Sequence, residues 1–337
     1  MTVTNRQIQL VSRPEKEPCL TNFALVEVPM PEPDDGEVLL ENQYLSLDPY
    51  MRARMYAGAN YAAPTPLHAP MVGTSVAQVI KSRSEAFAEG DYVVARAGWQ
   101  EFAVSDTTAL RPIDPNIAPV TTALSVLGLP GHTAYGALMR FGQLKPGETL
   151  LVSAAAGGVG SVAAQIGRIY GLRVVGIAGG PEKCRYLTET LGLDAAVDRH
   201  VGDLPAALSA ACPDGIDIYF DNVAGDVAKA VLDLANDYAR YLVCGTISIN
   251  RDLGFAHGTD SLQAILATVL VKRLTLQGFL FSDFADMTQA FQSDVSGWLK
   301  SGDMAYKEHV VDGLENAPAA FLSLFTGGNF GKLLVRL

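Results

Sequence analysis

The chain of 337 residues has only four cysteines, Cys19, Cys184, Cys212 and Cys244, and no two of them stand as C-x-x-C. That scatter excludes a disulfide framework and a cysteine-built metal site, and it predicts reduced thiols in a cytoplasmic protein. No apolar run reaches the roughly 18 residues of a membrane-spanning helix. Arg6, Arg13, Glu15, Lys16 and Glu17 interrupt the region where a signal peptide needs an apolar stretch. Basic residues are also scarce: 25 Lys and Arg against 36 Asp and Glu leave a net charge of −11. This balance argues against nucleic acid or an anionic membrane surface as a partner. No G-x-x-x-x-G-K occurs, which excludes a P-loop kinase. None of the twelve tyrosines has a lysine four residues further on, so the Tyr-x-x-x-Lys pair of short-chain dehydrogenases is missing too.

What is present is apolar and turn-rich: 49% hydrophobic residues, 32 glycines and 18 prolines. A chain longer than about 250–300 residues outgrows a single core, so two domains are expected. The first 120 or so residues read as β structure. Short apolar runs such as Glu37–Asn42, Val72–Ile80 and Asp91–Ala95 alternate with prolines and Asp-Gly or Glu-Gly turns. From about Leu144 the texture changes to strands alternating with helices. Strand candidates are Thr149–Ser153, Arg173–Ala178, Ala195–Val197, Ile216–Asp221, Tyr241–Cys244 and Leu274–Leu280. Ser161–Tyr170, Pro181–Leu191, Val227–Leu234 and Leu262–Val271 read as the helices between them. That alternation predicts an α/β fold with a doubly wound parallel sheet. Near the end, Glu308–Asp312, a helix at Ala317–Phe325 and the strand Lys332–Arg336 predict a return to the β-rich domain.

The sharpest local signal follows the first of those strands. Ala155-Ala156-Gly157-Gly158-Val159-Gly160 reads A-x-G-x-x-G before an apolar-periodic helix. Glycines there let the backbone approach a pyrophosphate, and the helix N-terminus offers unpaired N–H groups. Gly157, Gly158, Val159 and Gly160 are therefore candidate cofactor contacts. About 20 residues further on, NAD sites carry an acid that binds the ribose 2′-hydroxyl. Here that region is Ala178-Gly179-Gly180-Pro181-Glu182-Lys183, with Arg199 after the next strand. Glycines in place of the acid, and the two cations Lys183 and Arg199, favour the 2′-phosphate of NADP.

Beyond this turn, five motifs occur in order: Asp48-Pro49-Tyr50-Met51-Arg52, Leu129-Pro130-Gly131-His132-Thr133-Ala134-Tyr135, the Ala155–Ser161 turn, Phe220-Asp221-Asn222-Val223 and Asn329-Phe330-Gly331-Lys332. Together they resemble the zinc-independent medium-chain dehydrogenase/reductases of the prostaglandin reductase and 2-alkenal (double-bond) reductase type. The stretches Gly179–Arg185, Pro213–Tyr219 and Gly313–Pro318 bring it nearest, within that group, to the bacterial NADPH-dependent curcumin/dihydrocurcumin reductases. The resemblance implies a GroES-like β-rich domain over residues 1–125 and 303–337, a Rossmann domain over 126–302, and bound NADPH. By position it implies that Asn222, Cys244, Gly245, Thr246, Ile247, Ser248 and Asn250 line the nicotinamide ribose. It places Phe279, Leu280 and Phe281 near the nicotinamide, and Asn329 on the cofactor from the C-terminal segment. A homodimer is implied as well. Two family tyrosines are replaced: Val271 stands at one position, and Ile249-Asn250-Arg251 covers the other.

Zinc alcohol dehydrogenases need Cys, His and a carboxylate at the catalytic metal, and four close cysteines at the structural one. Leu45–Arg54 contains no Cys or His, and residues 90–120 contain no cysteine. The expected chemistry is therefore metal-free. Hydride addition to an alkene conjugated with a carbonyl suits such a site, because the protein then has only to align two π-systems and stabilise an enolate oxygen. Tyr50 and Tyr61 are the candidates for the oxyanion donor or proton source. The expected substrate is a small enone or enal. A quinone reductase, and a non-catalytic NADPH-binding sensor or structural protein, are the alternatives.

Overall fold

The computed structural model describes residues 4–57, 62–248 and 259–337. Tyr61 and Asn250 lie outside the described residues. The chain divides into two compact units, Met1–Ser125 with Glu308–Leu337, and Val126–Lys307.

The chain opens with β1 (Thr4–Leu10), β2 (Phe23–Pro29) and β3 (Glu37–Ser46), followed by the single turn α1 (Tyr50–Arg54). Strands β4 (Ser75–Ser82), β5 (Tyr92–Ala95), β6 (Phe102–Asp106) and β7 (Arg111–Ile113) complete the first passage through this unit. The second unit runs α2 (Leu129–Ala137), β8 (Thr149–Val152), α3 (Gly158–Ile169), β9 (Arg173–Ala178), α4 (Pro181–Arg185), β10 (Ala195–Asp198), α5 (Leu204–Ala211) and β11 (Ile216–Asp221). It continues with α6 (Gly225–Leu234), β12 (Ala235–Val243), α7 (Thr259–Lys272), β13 (Thr275–Gly278) and α8 (Thr288–Ser301). The chain then returns to the first unit through β14 (Glu308–Asp312), α9 (Ala317–Ser323) and β15 (Lys332–Arg336).

In the first unit, β1 and β2 form an antiparallel pair, and β14-β15-β3-β4-β5-β7 form a sheet in which β6 also pairs with β3. The long strand β3 is the spine, taking β4 on one side and both β6 and the returning β15 on the other. Its core gathers Ile8, Leu10, Leu45, Met51, Met71 and Trp99 around Phe321 of α9. Trp99 stacks on Phe23 at 5.7 Å and meets Phe321 edge-on at 5.5 Å. The aromatic rings thus fasten the C-terminal return to the N-terminal strands.

The second unit is a six-stranded sheet in the order β10-β9-β8-β11-β12-β13. Every pairing in it is parallel. All four residues of β8 are buried, as expected for a strand covered by helices on both faces. The order reverses between β8 and β11, and in such sheets ligands bind outside the carboxyl ends of the strands at that reversal. Strand β12 is longer than its sequence suggests. The sequence predicts a strand only over Tyr241–Cys244, yet β12 starts at Ala235 directly after α6. A register break between Ile216 and Ile218, with Tyr238 at φ 64°, absorbs the misfit.

Candidate functional site

The carboxyl end of β8 turns through Ser153–Gly157 into α3. Ala155 donates its N–H to Ile177 of β9 at 2.9 Å, and Gly157 donates back to Ala154 at 2.9 Å. The helix begins so close to this turn that a Cβ on Gly160 would meet the Ala154 carbonyl oxygen at 2.4 Å. Only glycine fits there without moving the backbone. Gly157 is the N-cap, with no side chain to bond the first N–H groups of α3. Those groups, together with the helix dipole, make this end an anion cradle. Gly157, Gly158, Val159 and Gly160 are thus brought together at one helix start.

The next strand end carries the cations. Lys183 lies in α4, directly after β9, and Arg199 follows β10. Burial first, and then the like charge of Arg199, lower the Lys183 ammonium below its ordinary value, against a smaller pull from Glu182. The two cations are therefore near enough to repel one another. A Cβ on Gly179 would meet Arg199 Nε at 2.8 Å, so the guanidinium lies across the glycine. The nearby acid, Asp198, is engaged by the backbone: Gly180 N–H donates to its Oδ1 at 2.9 Å and His200 N–H at 3.0 Å. Those two bonds hold its carboxyl below the usual range. It fixes the strand end instead of standing where an NAD-type acid stands.

On the other side of the sheet reversal, the loop after β12 hangs on the end of β11. Cys244 and Gly245 N–H donate to the Asp221 carbonyl at 2.8 and 3.0 Å, and Ile247 N–H donates to Asn222 at 3.5 Å. Ser248 N–H donates to the Val223 carbonyl at 3.2 Å, and its hydroxyl does so at 2.6 Å. Thr246 is exposed on the same loop. The Asn222 side chain donates through Nδ2 to the Ser153 carbonyl at 2.8 Å. Burial, and then Asp221, push the Cys244 thiol up to about 12, which makes it a poor nucleophile at neutral pH.

The aromatic run divides. Phe279 is packed within the second unit, 5.6 Å from Phe284 and 6.1 Å from Phe220 between ring centres. Leu280 and Phe281 are exposed, the latter edge-on to His132 at 5.2 Å. In the first unit, Tyr50 opens α1 and packs half-buried against the core. Asn329 donates through Nδ2 to the Gly331 carbonyl at 2.8 Å, which closes a local turn.

Two constellations have no counterpart in the sequence reading. One is a buried ion pair within the first unit: Lys332 Nζ donates to Asp48 Oδ1 and to the Leu47 carbonyl, both at 2.7 Å. The other is a network of hydroxyls around Asp221 in the second unit. Both acids sit inside motifs, but nothing in the spacing reveals partners 284 or 68 residues away.

Two family models match the chain, "N-terminal domain of oxidoreductase" over residues 6–113 and "Zinc-binding dehydrogenase" over residues 158–294. The chain is 44% identical over 334 residues to the NADPH-dependent curcumin reductase of Escherichia coli (strain K12), covering 99% of this chain and 97% of that one. It is 36% identical over 340 residues to a 2-alkenal reductase (NADP(+)-dependent) of Nicotiana tabacum, covering 99% and 97%. The solved structure of CurA from Vibrio vulnificus in complex with NADPH superimposes with a TM-score of 0.93 at 44% identity, over 98% of both chains. Although one model's description mentions zinc, the described residues contain no group of three or more His, Cys, Asp or Glu able to hold a metal.

Proposed function

The chain belongs to the medium-chain dehydrogenase/reductases, in the branch of the curcumin and 2-alkenal reductases, and on that premise we propose that it is an NADPH-dependent, metal-independent reductase of the carbon–carbon double bond in enones and enals. The observation that carries this reading is the pairing of the Gly157–Gly160 cradle with two mutually repelling cations at the ends of the next strands, Lys183 in α4 and Arg199 lying across Gly179. A pyrophosphate suits the first and a doubly charged 2′-phosphate the second, where it relieves the repulsion between two cations. When bound, the reduced nicotinamide supplies the hydride.

The chain's own residues do the rest. The glycine turn and the α3 N-terminus hold the pyrophosphate, and Lys183 and Arg199 anchor the adenosine end. Asn222 and the loop Cys244–Ser248 border the remaining half. Charge that develops on the substrate's carbonyl oxygen needs a donor. Tyr50 and Tyr61 are the proposed donors, with Asn329 a further cofactor contact. No metal step is required, because hydride addition to a conjugated alkene leaves only an enolate to be protonated.

Incubating the protein with NADPH and a panel of conjugated ketones and aldehydes is expected to consume NADPH and yield the saturated carbonyl compound. Tight NADPH binding with no turnover of any of them would sink the proposal.

We further propose a homodimer through the β13 edge of the second unit. Helix α7 turns Ile265 and Val269 inward against β12, while Leu262, Leu266 and Leu270 form an outer stripe 56–77% exposed. Strand β13 ends the sheet, and its Leu276 is 44% exposed. An apolar stripe beside an unpaired strand edge suits a second copy of the same surface. Light scattering should give twice the chain mass for the wild type and the single-chain mass for Leu266→Glu/Leu270→Glu. A wild type that stays monomeric at micromolar concentration would exclude this interface.

A further inference from the structure

Asp221 is the last residue of β11 and has no exposed surface. Its carboxylate accepts five hydrogen bonds: Ser153 Oγ (3.0 Å), Tyr219 OH (2.9 Å), Val223 N–H (2.8 Å) and Ala224 N–H (2.9 Å) on Oδ1, and Tyr241 OH (2.5 Å) on Oδ2. Burial first, and then Asp221, raise both tyrosine hydroxyls far above their usual range, so both remain donors at any working pH. An acid this deep is costly unless it is well supplied with hydrogen bonds, and here four reach Oδ1 and one reaches Oδ2. Well-packed apolar residues often replace buried ionic groups without loss of stability, so stability alone does not account for it.

Its position does. The donors come from three neighbouring strand ends: Ser153 after β8, Tyr219 on β11 itself and Tyr241 on β12. These flank the sheet reversal, where a ligand is expected. Ser153 transmits the arrangement. Its hydroxyl donates to Asp221 and accepts the Asn222 N–H at 2.8 Å, while its carbonyl accepts Asn222 Nδ2. With its amide nitrogen so engaged, Asn222 offers Oδ1 as an acceptor. The bonds to Val223 and Ala224 hold a turn whose Ala224 and Gly225 have φ of 63° and 65°. The loop Cys244–Ser248 then hangs on the carbonyls of Asp221, Asn222 and Val223.

We infer that Asp221 is the positioning residue of the nicotinamide half of the site, acting through Ser153 to aim Asn222 Oδ1 at a ribose hydroxyl and through residues 221–223 to set the Cys244–Ser248 loop. This rests on the NADPH reading above. The adenosine end, held by Lys183 and Arg199 at β9 and β10, is independent of the network, and the test exploits that separation.

Calorimetric titration of Asp221→Asn and Ser153→Ala with NADPH and with 2′,5′-ADP separates the two halves. Asp221→Asn removes the charge that the five donors support and leaves a single accepting oxygen, and Ser153→Ala removes the link with little change in volume. The expected result is NADPH binding weakened about 10–100-fold for Asp221→Asn and about 5–20-fold for Ser153→Ala, with 2′,5′-ADP binding within twofold of wild type. If Asp221→Asn does not fold, Ser153→Ala carries the test. NADPH affinity unchanged in Ser153→Ala, or both ligands weakened equally, would overturn the inference. A wild type that binds no NADPH would instead overturn the reading beneath it, and this inference with it.

Discussion

Lys183→Ala combined with Arg199→Ala is expected to raise the dissociation constant for NADPH about 100-fold while leaving that for NADH within about threefold. Each charge-assisted bond to a phosphate contributes about 1.5–3 kcal/mol, so two lost together could reach about 10²–10⁴-fold. Arg199 is exposed and Lys183 half-buried, so water competes for both and the lower end applies. The sign follows from the environment of Lys183, where burial first and then the like charge of Arg199 lower the ammonium. A 2′-phosphate between the cations converts that repulsion into two attractions, whereas a 2′-hydroxyl does not. Titration of both dinucleotides against wild type and double variant reads the effect directly. Equal losses for NADPH and NADH would remove the 2′-phosphate assignment and leave the two residues as surface charges.

Lys332→Met is expected to destabilise the first unit by about 3–5 kcal/mol, because it strands Asp48 in the interior. Side-chain exposures of 5% for Lys332 and 12% for Asp48 put this pair among those that water cannot rescue. What remains to Asp48 is the Ser46 hydroxyl at 2.5 Å. For a unit of this size the loss corresponds to a melting point lower by roughly 6–20 °C. Asp48→Asn/Lys332→Met, which buries no lone charge, should recover part of it, and the double-mutant cycle measures the coupling. A Lys332→Met protein melting within about 2 °C of wild type would show that the pair contributes nothing. The pair ties β15 to the turn that begins α1, so its loss should also be felt at Tyr50.

Much of this arrangement was legible in the chain. Periodicity located Arg173–Ala178, Ile216–Asp221, Glu308–Asp312 and Lys332–Arg336 with the bounds they have in the structure, because each is a short run rich in apolar residues, β-branched or aromatic ones among them, set between polar or turn residues. The glycine turn was equally plain, since close backbone approach tolerates no other residue at Gly160. Phe279 shows the limit. In the sequence it is one member of an aromatic run beside the expected nicotinamide, and in the fold it packs with Phe220 and Phe284 while Leu280 and Phe281 stand exposed. A run of three apolar residues carries no sign of which one turns inward.

The sequence by itself determined the family of the chain, the α/β alternation, the glycine turn and the scatter of the cysteines. All of these are local matters of spacing and residue type. Only the tertiary structure decided that Lys332 neutralises Asp48, that Arg199 lies over Gly179, and that five donors converge on Asp221. A buried charge is tolerated only where its partners arrive in the right geometry. Those partners arrive from strands that are neighbours in the sheet and far apart in the chain, so the pattern of one segment cannot announce them. The four cysteines with which the chain is read stand far apart in sequence and form no C-x-x-C pair. The hydroxyls and backbone amides that meet at the strand ends converge instead on the carboxylate of Asp221.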